Sequence, residues 1–177
     1  MKRILIVVDY QNDFVSGSLG FEKAEELEQA IISKIEEYQR NGDEIAFTFD
    51  THSEQYLQTQ EGKKLPVIHC VKGTPGWNLY GRAADYCGEG TKRFEKSAFG
   101  SMELAGYLAQ RGYDTVELVG VVSNICVISN AVLAKAALPE AEIIVDAACV
   151  ASNDDALNEK ALDVMESLQI TLLNRKL

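Results

Sequence analysis

Cys126, in GVVSNICVISNAVL, sits just past an apolar run and at the start of a helical pattern, where a thiol can serve as a nucleophile. No histidine lies near it in sequence. The chain has two, His52 and His69, and both fall in one distant stretch. Asp9 and Lys96 are the candidates to replace a histidine. A carboxylate alone would resist the thiolate, because two negative charges about 4 Å apart repel by roughly 4 kcal/mol at an effective dielectric of about 20. That is about three pKa units in the wrong direction. An ammonium at similar distance offsets the penalty and restores a reactive thiolate, while the carboxylate accepts the proton as substrate binds. Amide donors at the nascent helix near Cys126 suit a thiolate and an oxyanion. The duller alternative for each residue is a small buried cysteine, a turn-forming aspartate and a solvated lysine.

A second group lies in FDTHSEQYLQTQEGKKLPVIHC, which holds Asp50, His52, Glu61 and His69. Imidazole together with carboxylate suits zinc, iron or manganese, and Asp-x-His brings two ligands to the end of one strand. The alternative is two structural histidines in a polar loop, with Glu61 a solvated acid.

Short β-branched runs alternate with helical patterns and position these residues. ILIVVD at 4–9, EIAFTFD at 44–50, TVELVGVV at 115–122 and AEIIVDA at 141–147 read as strands, joined by KRFEK with Lys96 at its end and by a final QITLL. Continuous apolar runs suit strands buried on both faces of a parallel sheet. EKAEELEQAIISKIEEYQRNG reads as one helix with Leu27, Ile31, Ile35 and Tyr38 on a stripe and a stop at Asn41-Gly42. SMELAGYLAQRGY, capped by Ser101, NICVISNAVLAKAAL, ended by Pro139, and NDDALNEKALDVMESLQ are the other helices. The fold expected is α/β: a three-layer, doubly wound, mostly parallel, Rossmann-like sheet. In such a sheet ligands bind at the carboxyl ends of the strands, near the point where strand order reverses. Asp9, Asp50, Lys96 and Cys126 all belong to that edge. Residues 10–21 and 51–91 fall outside the alternation, and long connections of this kind are usually functional or mobile.

At 177 residues and 46% hydrophobic, the chain suits one domain over 1–177. A net charge of −10 argues against a nucleic-acid or anionic-membrane partner. Cys70, Cys87, Cys126 and Cys149 are scattered and read as reduced thiols. The apolar part of MKRILIVVDYQ is too short for a signal peptide or a span, so a cytoplasmic location is expected.

IVVDYQNDF, KSAFGS and GVVSNICV, in that order and spacing, make the chain resemble the isochorismatase-like cysteine hydrolases, the family that includes nicotinamidases. The resemblance implies Asp9, Lys96 and Cys126 as catalytic residues in amide hydrolysis through a thioester, with ammonia released. It also implies a non-proline cis peptide at Val121–Val122 and an oxyanion hole from the amides of Val122 and Cys126. By the same resemblance Asp50, His52, Glu61 and His69 would hold a divalent metal, zinc first, with iron or manganese as the other candidates, and GTPGW follows the last histidine. Phe14 matches a ring-stacking residue; Pro66 stands where nicotinamidases often carry an aromatic, with Trp77 or Phe99 as the substitutes, and Val121 adjoins the substrate. The expected substrate is a small-molecule amide, nicotinamide first, or otherwise another small amide or carbamoyl compound; a homo-oligomer is expected from the resemblance alone.

Two other classes share part of this pattern and lack the rest. A signalling receiver also carries an Asp and a Lys at strand ends but needs an acidic pair after its first strand, and here Tyr10 follows Asp9. A nucleotide-binding module needs a glycine-rich fingerprint that does not follow the first strand.

Overall fold

A computed structural model describes residues 1–175. Its elements in chain order are β1 (Arg3–Val8), α1 (Asn12–Val15), α2 (Glu22–Glu26), α3 (Glu28–Asn41), β2 (Glu44–Asp50), α4 (Gln60–Lys64) and β3 (Lys92–Lys96). They continue with α5 (Met102–Arg111), β4 (Thr115–Val121), α6 (Ile128–Ala137), β5 (Glu142–Ala151), α7 (Asp155–Ser167) and β6 (Thr171–Leu173). The strands form one six-stranded sheet in the order β3-β2-β1-β4-β5-β6. Every pairing is parallel, so the sheet expected to be mostly parallel is wholly so. Strand order reverses between β1 and β4, and the residues that follow them, Asp9 and the turn bearing Cys126, flank that switch point.

Alternation along the central strands feeds two cores. Ile4, Ile6, Val116 and Leu118 face Leu104, Leu108, Ala131 and Met165 of α5, α6 and α7. Leu5, Val7, Val119 and Val121 face Ile31, Ile35 and Tyr38 of α3 on the other side. Both faces of β1 and β4 are therefore covered, which is why these strands read as unbroken apolar runs. Among the described residues no helix is long and apolar enough to cross a membrane.

Three boundaries differ from the sequence expectation. The helix expected over 22–42 is divided at Leu27, one turn after Ala24, whose carbonyl accepts the Tyr10 hydroxyl at 2.7 Å. Its end is as expected, with Gly42 left-handed at φ 73°. The strand expected over 141–147 runs on to Ala151 through a bulge, where the partner of Leu118 is Val145 and that of Gly120 is Val150. Asp146 makes the bulge tolerable by accepting the Ala148 N–H at 3.0 Å. The helix expected from Asn124 opens instead as a π-helical turn over Ser123–Val127, closed by Val127 N–H to the Val122 carbonyl at 3.2 Å.

Candidate active site

Asp9, Lys96 and Cys126 come from the ends of β1, β3 and β4, and the fold brings all three together. Lys96 Nζ lies 2.6 Å from Asp9 Oδ2 and 3.6 Å from Cys126 Sγ. The ammonium also donates to the Ala98 carbonyl at 3.1 Å. Asp9 is fully buried and Lys96 and Cys126 nearly so, at 6% and 5% exposed. Thr48, on β2 beside β1, donates its hydroxyl to Asp9 Oδ1 at 2.6 Å and receives the Asp9 N–H at 3.2 Å. One carboxylate oxygen is thus held by the hydroxyl while the other faces the ammonium.

The electrostatics follow from that geometry. Burial, reinforced by Asp50, pushes the Asp9 carboxyl above the usual range even though Lys96 pulls it down. Burial also pushes the Cys126 thiol well up, Asp9 adds to this, and Lys96 only partly offsets it. Burial opposes the charge on Lys96, but Asp9, Cys126 and Asp50 outweigh it and hold the ammonium on. The sequence expectation is that Lys96 restores a reactive thiolate as the carboxylate accepts the proton on substrate binding; in the resting site, burial outweighs one ammonium and favours the thiol. The resting centre pairs a thiol with a carboxylate whose raised affinity for a proton suits it to accept one.

Cys126 is held by its turn. Asn130 donates from one amide nitrogen to the Cys126 carbonyl at 2.8 Å and the Phe99 carbonyl at 3.1 Å, and accepts the Ser101 N–H at 3.0 Å. Ser123 donates to Asn158 Oδ1 of α7 at 2.6 Å. The Val121–Val122 peptide is cis.

The second group also assembles. One ligand-type atom from each of Asp50, His52, Glu61 and His69 lies within 4.8 Å of the others. Asp50 Oδ2 is 2.9 Å from His52 Nε2 and 3.3 Å from His69 Nε2. Glu61 Oε1 is 3.8 Å and 3.6 Å from the same two nitrogens. These spacings bracket the ~3.4 Å edge of a tetrahedron built with bonds of about 2.1 Å. His69 Nδ1 donates to the Val67 carbonyl at 2.7 Å, which leaves Nε2 facing the cluster. Burial and the neighbouring Asp50 charge push Glu61 above its ordinary value, the mark of a negative potential that a cation would relieve. The donor set fits a divalent metal.

Both groups open onto one cavity of about 200 Å³, whose wall includes Asp50, Glu61, His69, Val122 and Cys126.

The isochorismatase domain matches residues 3–175. The chain belongs to the isochorismatase family. It is 34% identical over 146 residues to an uncharacterized isochorismatase family protein, PncA of Bacillus subtilis, covering 75% of this chain and 78% of that one. A crystal structure of nicotinamidase/pyrazinamidase PncA from B. subtilis superposes with a TM-score of 0.88 at 28% identity, covering 98% of this chain and 100% of the other. A pyrazinamidase of Pyrococcus horikoshii in complex with zinc gives 0.85 at 26% identity, covering 99% and 100%.

Within this isochorismatase fold, Phe14 and Phe99 line the cavity, and Phe14 packs on the His69 ring with centroids 5.4 Å apart. Trp77 does not line it. Its ring lies against Phe49 and its indole N–H is spent on Thr51 Oγ1 at 2.9 Å, so the expectation of a substrate contact there is corrected. Val121 is corrected too: its side chain is fully buried in the core beneath α3, and Val122 takes the wall position. Sequence reading missed Leu19, Phe21, Leu65, Ile125 and Asn153, which complete the wall. Phe21 closes the glycine-bearing loop after β1, and that loop's placement at a strand end was the signal available.

Proposed function

We propose that the protein is a nicotinamidase, hydrolysing a pyridine carboxamide to the carboxylate and ammonia through a thioester on Cys126. The observation that carries this reading is the shared cavity, in which the thiol and the histidine–carboxylate cluster lie on the same wall system. The nicotinamidase and pyrazinamidase relatives support an amide-hydrolysing enzyme.

In the first half-reaction the Cys126 sulfur bonds to the amide carbon as its proton passes to Asp9. Asp9 then delivers that proton to the amide nitrogen, the C–N bond breaks and ammonia leaves. In the second, water loses a proton to Asp9 and attacks the thioester carbon. The C–S bond breaks, the proton returns to sulfur, and the carboxylic acid departs. Lys96, 2.6 Å from Asp9 and 3.6 Å from Sγ, stays charged and offsets the negative charge as it moves between them. The amides of Val122 and Cys126 are the proposed donors to the oxyanion. Asp50, His52, Glu61 and His69 would hold a divalent metal, zinc first, which would supply a Lewis-acid anchor for a ring nitrogen. Phe14 and Phe99 offer apolar faces for the ring, in place of the aromatic absent at Pro66. On this reading residues 1–177 act as one catalytic domain; 176 and 177 lie outside the described residues.

The test is ammonia release from a panel of nicotinamide, pyrazinamide, benzamide and an aliphatic amide, with and without chelator. Nicotinamide turnover that falls by more than about 10³-fold in Cys126→Ala, and whose KM rises on chelation, is the expected result. Preference for the aliphatic amide, insensitive to chelator, would overturn the pyridine assignment.

A further inference from the structure

The segment that follows Asp9 carries two polar side chains, one buried and one half-buried, that the mechanism does not use. Gln11 is fully buried. Its Oε1 accepts the Asp50 N–H at 2.8 Å, while Nε2 donates to the Asp50 carbonyl at 3.0 Å and the Trp77 carbonyl at 2.8 Å. One amide thus takes both backbone groups of one residue, as a neighbouring strand would. Two residues on, Asp13 Oδ2 accepts the Cys70 N–H at 2.7 Å, the peptide that leaves His69. A Cβ added at Gly76 would lie 2.1 Å from the same Asp13 oxygen, so the GTPGW segment crosses that carboxylate only because position 76 has no side chain. Neither Gln11 nor Asp13 is among the residues lining the cavity.

We propose that Gln11 and Asp13 are positioning residues for the metal-ligand cluster, fixing the backbones from which Asp50 and His69 project. The inference rests on reading that cluster as a metal site. Asp50 and His69 come from segments separated by a long irregular connection. Backbone bonds from His52 to the Cys70 carbonyl and from Lys72 to the His52 carbonyl, both 2.9 Å, join them just beyond these ligands, and Gln11 and Asp13 add the side-chain bonds at Asp50 and at the peptide after His69. The loop between Asp9 and Phe14 spans both and locks each by hydrogen bonds to the main chain. Loss of a partner that orients a ligand typically weakens a metal site by 10- to 100-fold.

The experiment titrates metal-free full-length protein with zinc in competition with a chromophoric chelator, so that affinity is read without turnover. Gln11→Met keeps the volume and removes every polar atom; Asp13→Ala removes the acceptor, and Asp13→Asn keeps an oxygen for the Cys70 N–H. Zinc affinity should fall by roughly 10- to 100-fold in Gln11→Met and Asp13→Ala, and Asp13→Asn should recover most of it. Should Gln11→Met fail to fold, the Asp13 pair decides alone. Unchanged affinity in folded Gln11→Met or Asp13→Ala, or no rescue by Asp13→Asn, overturns the positioning role. Wild-type protein that binds no zinc also overturns it, together with the metal reading. Wild-type protein that binds zinc but spares nicotinamide defeats only the activity, and the variants then still report on positioning.

Discussion

Two lysines in this molecule each sit among acidic side chains with a thiol close by, yet only one of the two groups borders the cavity. Lys34, on α3, places Nζ 3.0 Å from Glu117 Oε1 and 3.2 Å from Asp146 Oδ2. Lys96 places its Nζ 2.6 Å from Asp9 Oδ2 and 3.7 Å from Asp50 Oδ1. Around Lys34 the remaining acceptor capacity is spent on protein: Tyr38 donates to Glu117 Oε2 at 2.7 Å, and Asn174 donates to both Asp146 oxygens at 3.0 Å. A thiol adjoins each group, Cys149 beside Asp146 and Cys126 3.6 Å from Lys96, but the Lys96 group borders a cavity that Cys126 lines and Cys149 does not. A buried ammonium flanked by carboxylates is therefore a structural device until something beside it can react. What separates the two is the cavity onto which Cys126 opens at the switch point, not the ion pairs.

Substitution of each lysine by an apolar residue of similar length would break or sharpen that contrast. Lys96→Met should lower kcat for nicotinamide by about 10²- to 10³-fold, the scale of losing a charge-stabilising donor, as read by steady-state ammonia release. Lys34→Met should leave kcat per folded molecule unchanged and cost about 2 kcal/mol in urea unfolding. This discounts the loss expected for a fully buried pair, because Lys34 is only half-buried. Equal loss of turnover in both variants would erase the distinction. Burial opposes the Lys34 charge but its two carboxylates outweigh it, holding it above the ordinary lysine value of 10.5. A raised lysine contributes its stabilisation in full below the unfolded value and loses it as pH rises through the folded one. The stability gap between wild type and Lys34→Met should thus stay flat across neutral pH and close only in alkali.

A smaller effect concerns the thiol. Because burial and then Asp9 hold Cys126 up, its alkylation by iodoacetamide without substrate should be slow at neutral pH and still rising above pH 9.0, the ordinary thiol value. Lys96→Met should slow it further; a plateau below neutral pH would contradict the resting thiol. The least effect is expected at Trp77. Trp77→Phe should cost about 1 kcal/mol through the lost bond to Thr51 with KM for nicotinamide unmoved, whereas Phe99→Ala should raise KM several-fold.

The sheet was legible because β1 and β4 are buried on both faces and show it as unbroken apolar runs. The triad was legible because Asp9 and Cys126 follow such strands and Lys96 ends the charged edge strand KRFEK, and strand ends converge by topology. What was hidden depends on contacts between segments far apart in the chain. Trp77 reads as a free aromatic, and only its bonds to Gln11 and Thr51 reveal a buttress. The π-helical turn over 123–127 is invisible because five residues do not distinguish one helical period from another. The tilt of the thiol toward its protonated form is a sum over burial and three charges, none of which spacing reports. Glu117 did leave a sign that went unread: an acid in the middle of TVELVGV, a strand buried at every position, must have a cation waiting for it.

Asp50 turns one oxygen toward Lys96 at 3.7 Å and the other toward His52 and His69 at 2.9 and 3.3 Å. A single side chain therefore belongs to both halves of the machinery, and no replacement there can be blamed on one half alone. Anyone redesigning ion preference without disturbing the sulfur chemistry should begin at Glu61, the acid farther along the chain, which lies 3.8 and 3.6 Å from the two histidines and, among the described residues, makes no ion pair with Lys96.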